Sequence, residues 1–123
     1  MARFVLLLRA DESVSLGGQP PELYAALARR AGEWTKDGVL LTFGVLAPTA
    51  MSARVRLADG VITAAGGPFA DTEENVVACA LIEAATQDEA VNRAIELLEL
   101  YARHWPRWQC TADVCQVFRP EGC

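Results

Sequence analysis

Asp71, Glu73 and Glu74 crowd behind the corner Gly66-Gly67-Pro68-Phe69 and precede an apolar run, Val76 to Ile82. Paired glycines open backbone shapes closed to other residues, and proline then fixes φ, so the corner aims carboxylates at the mouth of a strand. A carboxylate desolvated beside another serves as general base or acid, so the chemistry this stretch could support is proton transfer. Asp71 is the catalytic candidate here. Pro68, Phe69, Thr72 and Glu74 would line the pocket it faces. The same residues also read as a solvated turn capped by Asp71 and Thr72, with Phe69 plugging one end of the core.

Other groups could join that chemistry. Glu22 stands at the start of a helix, as a second candidate base or simply as a carboxylate stabilising the positive end of its own helix dipole. His104, the one histidine, lies between Arg103 and Trp105 at a helix end, where a cation is favoured without any function. As an acid/base it lacks a paired Ser or Cys nucleophile and makes no triad. Arg9 and Arg119 lie at strand ends and could grip a substrate carboxylate bidentately, or form surface salt bridges. Trp34, Trp105 and Trp108 suit core and dimer packing, and such aromatics could also line a planar ligand's pocket, Trp34 among the substrate-binding candidates.

The elements that must position these groups follow from periodicity. Ala2 to Leu8 is a continuous apolar run suited to a central strand. Pro20 and Pro21 open a helix whose Leu23, Leu27, Ala31 and Trp34 share a face, and Asp37-Gly38 ends it. Val39 to Leu46 is a strand, and Asp59-Gly60 joins Ser52–Leu57 to Val61–Ala65 as a hairpin. Asn75 to Ala84 is another strand. Thr86-Gln87-Asp88-Glu89 is a capping box opening a helix to about Ala102, with Val91, Ala94, Ile95, Leu98 and Tyr101 as its apolar stripe. Thr111 to Phe118 closes the chain as a strand. Two strand–helix–strand units with an inserted hairpin predict one domain over residues 1–123, an α+β ferredoxin-like sandwich. Strands apolar along most of their length need cover on both faces, which a second copy docking sheet to sheet would supply.

Composition narrows the partners. A chain of 123 residues with 52% apolar residues forms a core, and a formal charge of -5 disfavours nucleic acid or an anionic membrane surface. Phe4 to Leu8 is too short for a secretory or membrane segment, so a cytoplasmic protein is expected. Cys79, Cys110, Cys115 and Cys123 include no C-x-x-C pair, and one histidine completes no usual zinc set. Free thiols are expected, with Cys79 acting as a small core residue; a Cys110–Cys115 disulfide is the disfavoured alternative. No phosphate loop or dinucleotide fingerprint is present, so no cofactor is expected.

Gly66-Gly67-Pro68-Phe69-Ala70-Asp71-Thr72-Glu73-Glu74 resembles the Asp-Gly-Pro-Phe-Ala-Glu-Thr-Lys-Glu signature of the YCII-related (DGPF-domain) family. Gly66 replaces the leading Asp, Asp71 a Glu and Glu73 a Lys. Gly44-Val45-Leu46-Ala47-Pro48-Thr49, Leu81-Ile82-Glu83-Ala84, Asp88-Glu89-Ala90 and Gln116-Val117-Phe118 are similar to other family segments, while Leu97 to Thr111 is longer than in the minimal pattern. The resemblance favours Asp71 and Glu74 among the carboxylates and removes whatever role the family's Lys has. Glu22 stands where smaller relatives place a His thought to act with an Asp, so that dyad is absent. The resemblance implies a homodimer of the dimeric α/β-barrel type, a group that includes muconolactone isomerases, dehydrochlorinases and cofactor-free monooxygenases. Two functions are therefore expected: a cofactor-independent lyase or isomerase acting on a small organic acid or aromatic, or a non-catalytic ligand-binding or protein-interaction module, such as a partner of sigma factors. Its ligand would be small and anionic or aromatic.

Overall fold

β1 (Ala2–Ala10) is the strand around which the molecule is organised. A computed structural model describes residues 1–12, 18–69 and 74–118. Asp71, Thr72 and Arg119 lie outside the described residues. After β1 come α1 (Pro21–Lys36), β2 (Leu40–Val45), a short 3-10 turn (Thr49–Met51), β3 (Ala53–Ala58), β4 (Val61–Gly66), β5 (Asn75–Ala84), α2 (Gln87–His104) and β6 (Thr111–Val117). β2, β5, β1 and β6 form one sheet in that order, every neighbouring pair antiparallel. The result is an α+β fold, one antiparallel sheet with two helices, compatible with a ferredoxin-like arrangement. Among the described residues no helix is long and apolar enough to cross a membrane.

Register sorts the sheet's faces. Phe4 stands opposite Ile82, Leu6 opposite Ala80 and Leu8 opposite Ala78, all buried on the helix-covered face. Phe43 of β2 and Val114 of β6 extend that layer. Leu23, Leu27, Ala31 and Trp34 of α1 pack on it as their spacing predicts. The expected stripe of α2 needs correction. Ala90, Ala94, Leu97 and Tyr101 carry the contact, and Ile95 is 50% exposed. Steps of four, three and four residues follow one line down a helix, and alanine at 90 and 94 lets α2 lie close to the sheet; Ile95 sits 100° round from that line.

Among the described residues no helix covers the opposite face. Val5, Leu7 and Leu81 lie there half-buried, and so does Cys79, a position at odds with the core role expected of it. Cys79 pairs across from Leu7, so the two-residue period of β5 sends it away from the core that Ala78 and Ala80 enter. Arg3 and Glu83 form a 3.7 Å ion pair on this face.

Turns behave as local chemistry dictates. Asp59 and Gly60 have φ of 51° and 77°, the paired left-handed residues that close a two-residue hairpin, and Gly38 at 77° ends α1. Thr86 Oγ1 accepts from the Glu89 N–H at 3.1 Å, capping α2, while the Glu89 carboxylate accepts from the Ala85 N–H at 3.0 Å. β3 and β4 form a separate two-stranded sheet, and every residue of β4 is exposed.

Candidate functional site

β1 ends at Ala10, and two residues later Glu12 reaches the turn that follows β2. Glu12 Oε2 accepts from the Thr49 N–H at 3.0 Å, and Oε1 accepts from the Thr49 hydroxyl at 2.5 Å. Thr49 is buried. Its Oγ1 also accepts from the Phe69 N–H at 3.2 Å, and its carbonyl accepts from the Ser52 N–H at 3.0 Å. A carboxylate gripped on both oxygens by one residue is fixed in plane and direction, and retains lone pairs for another donor.

Glu12 forms part of the wall of a cavity of about 100 Å³ between one end of the sheet and the C-terminal end of α2. Val45, Leu46, Ala47 and Pro48 make one side, Val76, Val77 and Ala78 the floor, and Tyr101, Trp105 and Trp108 the far side, with Gln19 beside Glu12 at the polar end. The aromatic wall is built by the end of α2. Trp105 donates its N–H to the Tyr101 carbonyl at 2.7 Å and Trp108 donates to Trp105 at 3.0 Å, a turn that folds the indoles back onto the helix. Tyr101 stacks on Trp108 at 4.6 Å between ring centres, and Trp108 on Trp105 at 5.1 Å with the planes 1° apart. Among the described residues Glu12 is the one charged side chain in the lining.

Burial pushes the Tyr101 phenol up from 10.0 to about 12, with nearby Cys110 and Tyr24 adding to the effect. Burial likewise raises the half-buried Cys110 thiol from 9.0 to about 11; a hydrogen bond from the Arg9 backbone opposes the rise and Glu74 adds to it. Tyr101 therefore stays neutral and adds no negative charge near Glu12. Both groups hold their protons in the folded chain to higher pH than in the unfolded one, so stability is intact below about pH 9 and falls as pH rises towards 12. Tyr101 alone accounts for about 2–3 kcal/mol by pH 12. Urea midpoints from pH 8 to 12 are expected to fall less steeply in Tyr101→Phe than in the parent; equal slopes would place the titrating group elsewhere.

Of the candidate site residues singled out from sequence, Trp105 and Trp108 line this cavity, and the other described ones lie outside its lining. Glu22 is exposed at the start of α1, and His104 is half-buried at the end of α2. Glu74 is exposed and lies on an open groove with Tyr101, Trp108 and Cys110. Arg9 extends from the uncovered face and pairs with Asp113 at 2.8 Å. Trp34 is buried towards the other end of the core, near Leu27, Leu40 and Leu97, with the Arg30 and Arg93 guanidinium groups 5.9 and 5.6 Å from its ring. Pro68 is exposed. Phe69 does not plug the core; its ring lies 4.0 Å beneath the Arg54 guanidinium, in a surface groove with Thr49, Ser52 and Asn75.

Sequence reasoning missed Glu12, taking residues 11 to 21 as loop. The available cue was position: Glu12 follows directly on a central strand, where side chains from neighbouring strand ends converge. Among the described residues no three His, Cys, Asp or Glu side chains cluster as a metal site. No known family model matches this chain, and no curated protein shows a significant match to it.

Proposed function

We propose that this chain is a cytoplasmic, cofactor-free enzyme that moves a proton on a small aromatic substrate, a lyase or isomerase with Glu12 as its base. The observation that carries this reading is one carboxylate, held on both oxygens by Thr49, in a wall that is, apart from Gln19, mostly apolar and aromatic among the described residues. The cavity of about 100 Å³ is smaller than one of about 150 Å³ that holds benzene, so it admits no more than a single small ring, part of it at the mouth. Among the described residues the lining contains no Arg, Lys or His to balance a substrate carboxylate, which favours an uncharged aromatic over an organic acid. Glu12 takes a proton from the side-arm carbon attached to the ring, and the electron pair left behind delocalises into the adjacent π system. The protonated Glu12 then returns the proton at a second carbon, or the electron pair expels a leaving group. The resemblance to the YCII-related family supports the same reaction class by analogy of fold.

The test uses neutral one-ring aromatics that carry a side-arm C–H between the ring and a carbonyl, such as aryl-substituted ketones and esters, incubated with the protein in D2O. Deuterium entering a carbon position of one panel member, faster than in buffer alone, is the expected result by NMR. No exchange and no thermal stabilisation across the panel would sink the proposal and favour a binding module.

We also infer a homodimer that joins the uncovered sheet faces, in the manner of the dimeric α/β barrels. Val5, Leu7 and Leu81 lie there with no helix above them among the described residues, and Val55, Leu57, Val61 and Ile62 of the β3–β4 hairpin are 60–71% exposed. A lone two-stranded hairpin is marginal in water, so these apolar side chains call for a partner surface. Light scattering is expected to give twice 13.3 kDa. A monomer mass at micromolar concentration would refute the pairing.

A further inference from the structure

We propose that Thr49 is the positioning residue for Glu12, and that the Gly67-Pro68-Phe69 corner holds Thr49 in place. The inference rests on the reading of Glu12 as the reacting group, but its physical content is a coupling that can be measured without any substrate.

Thr49 is the one buried polar residue among those described. Each of its polar groups has an assignment: the N–H and the hydroxyl proton go to the two Glu12 oxygens, Oγ1 receives the Phe69 N–H, and the carbonyl receives the Ser52 N–H. These bonds join segments 37 and 20 residues apart in the chain. Because Oγ1 accepts from Phe69 while donating to Glu12, its lone pair is engaged on one side and its proton is directed to the other.

The corner is locked against the same residue. Gly67 donates its N–H to the Ser52 carbonyl at 2.9 Å. A Cβ on Gly67 would lie 1.7 Å from the Thr49 carbonyl oxygen and 2.6 Å from its carbon. Only a residue without a side chain lets the two backbones meet, and that meeting brings the Phe69 N–H onto Oγ1. A glutamate side chain left to itself samples many rotamers, and ordering it costs conformational entropy. Here the ordering is done before a ligand arrives, which is what a base needs for a defined attack geometry.

The test is NMR on protein labelled with 13C at the glutamate carboxyl carbons and with 15N at the amides. Thr49→Val keeps the shape and the N–H but removes the hydroxyl, and is expected to move the Glu12 carboxyl resonance; Thr49→Ser, which keeps the hydroxyl, is expected to leave it near the parent position. Should Thr49→Val fail to fold, Glu12→Gln reads the coupling from the other end, and is expected to shift the amide resonances of both Thr49 and Phe69. A Glu12 resonance unmoved in folded Thr49→Val, or moved equally by Thr49→Ser, overturns the proposal, as does a Phe69 amide indifferent to Glu12→Gln. If these shifts appear while no panel compound exchanges a proton, the coupling stands and the enzymatic reading falls. If exchange occurs, Thr49→Val is expected to lower kcat about tenfold with KM little changed, and Thr49→Ser to restore it.

Discussion

Gly67→Ala is expected to destabilise the fold by about 3 kcal/mol, at the upper end of what overpacking costs. The new methyl group would meet the carbonyl oxygen and carbon of Thr49 at 1.7 and 2.6 Å, and both are backbone atoms with no rotamer to change. Relief requires the Thr49–Met51 turn to move away from the corner, and the bonds from Thr49 to Glu12 move with it. A domain with a total stability of about 5–15 kcal/mol loses a substantial part of it in one substitution. The neighbouring glycine supplies the control. A Cβ on Gly66 meets nothing within 4 Å, so Gly66→Ala is expected to unfold in urea at nearly the parent midpoint. Equal midpoints for the two variants would show that the close approach to Thr49 does not constrain the chain.

Glu12→Gln is expected to lower proton exchange by about 10²–10⁴-fold, the usual contribution of a general base. Glutamine keeps the length of the side chain and one carbonyl oxygen to accept from Thr49, but its amide nitrogen has no basic lone pair. Stability is expected to fall by about 1 kcal/mol, the net worth of an ordinary hydrogen bond, because one of the two bonds from Thr49 loses its acceptor. Chemistry and folding therefore separate: a large loss of exchange with a small shift in urea midpoint. A variant that exchanges as fast as the parent would place the base outside this cavity.

The route from residues to fold was legible wherever the cause lies within a few residues. Asp59-Gly60 closes its hairpin because both positions tolerate positive φ. Thr86 caps α2 because its hydroxyl reaches an N–H three residues on. The α1 stripe from Leu23 to Trp34 buries the face its spacing marks out. For α2, the stripe expected through Ile95 and Leu98 gives way to one through Leu97, because Ala90 and Ala94 pack against the sheet. The site was legible only in part: Gly67-Pro68-Phe69 was recognisable as a constrained corner, while the carboxylate it supports was sought among the residues immediately after it.

Composition and periodicity by themselves determined an α+β chain, the order of its strands and helices, the hairpin and the helix caps. Those features arise from propensities, turn geometry and side-chain period, which act over short spans of chain. Tertiary structure alone decided that Glu12 is the carboxylate in the cavity wall, that Thr49 holds it and that Arg9 is engaged by Asp113. These are meetings of segments distant in sequence, set by sheet register and by how closely two backbones can approach, and no short window of residues carries that information.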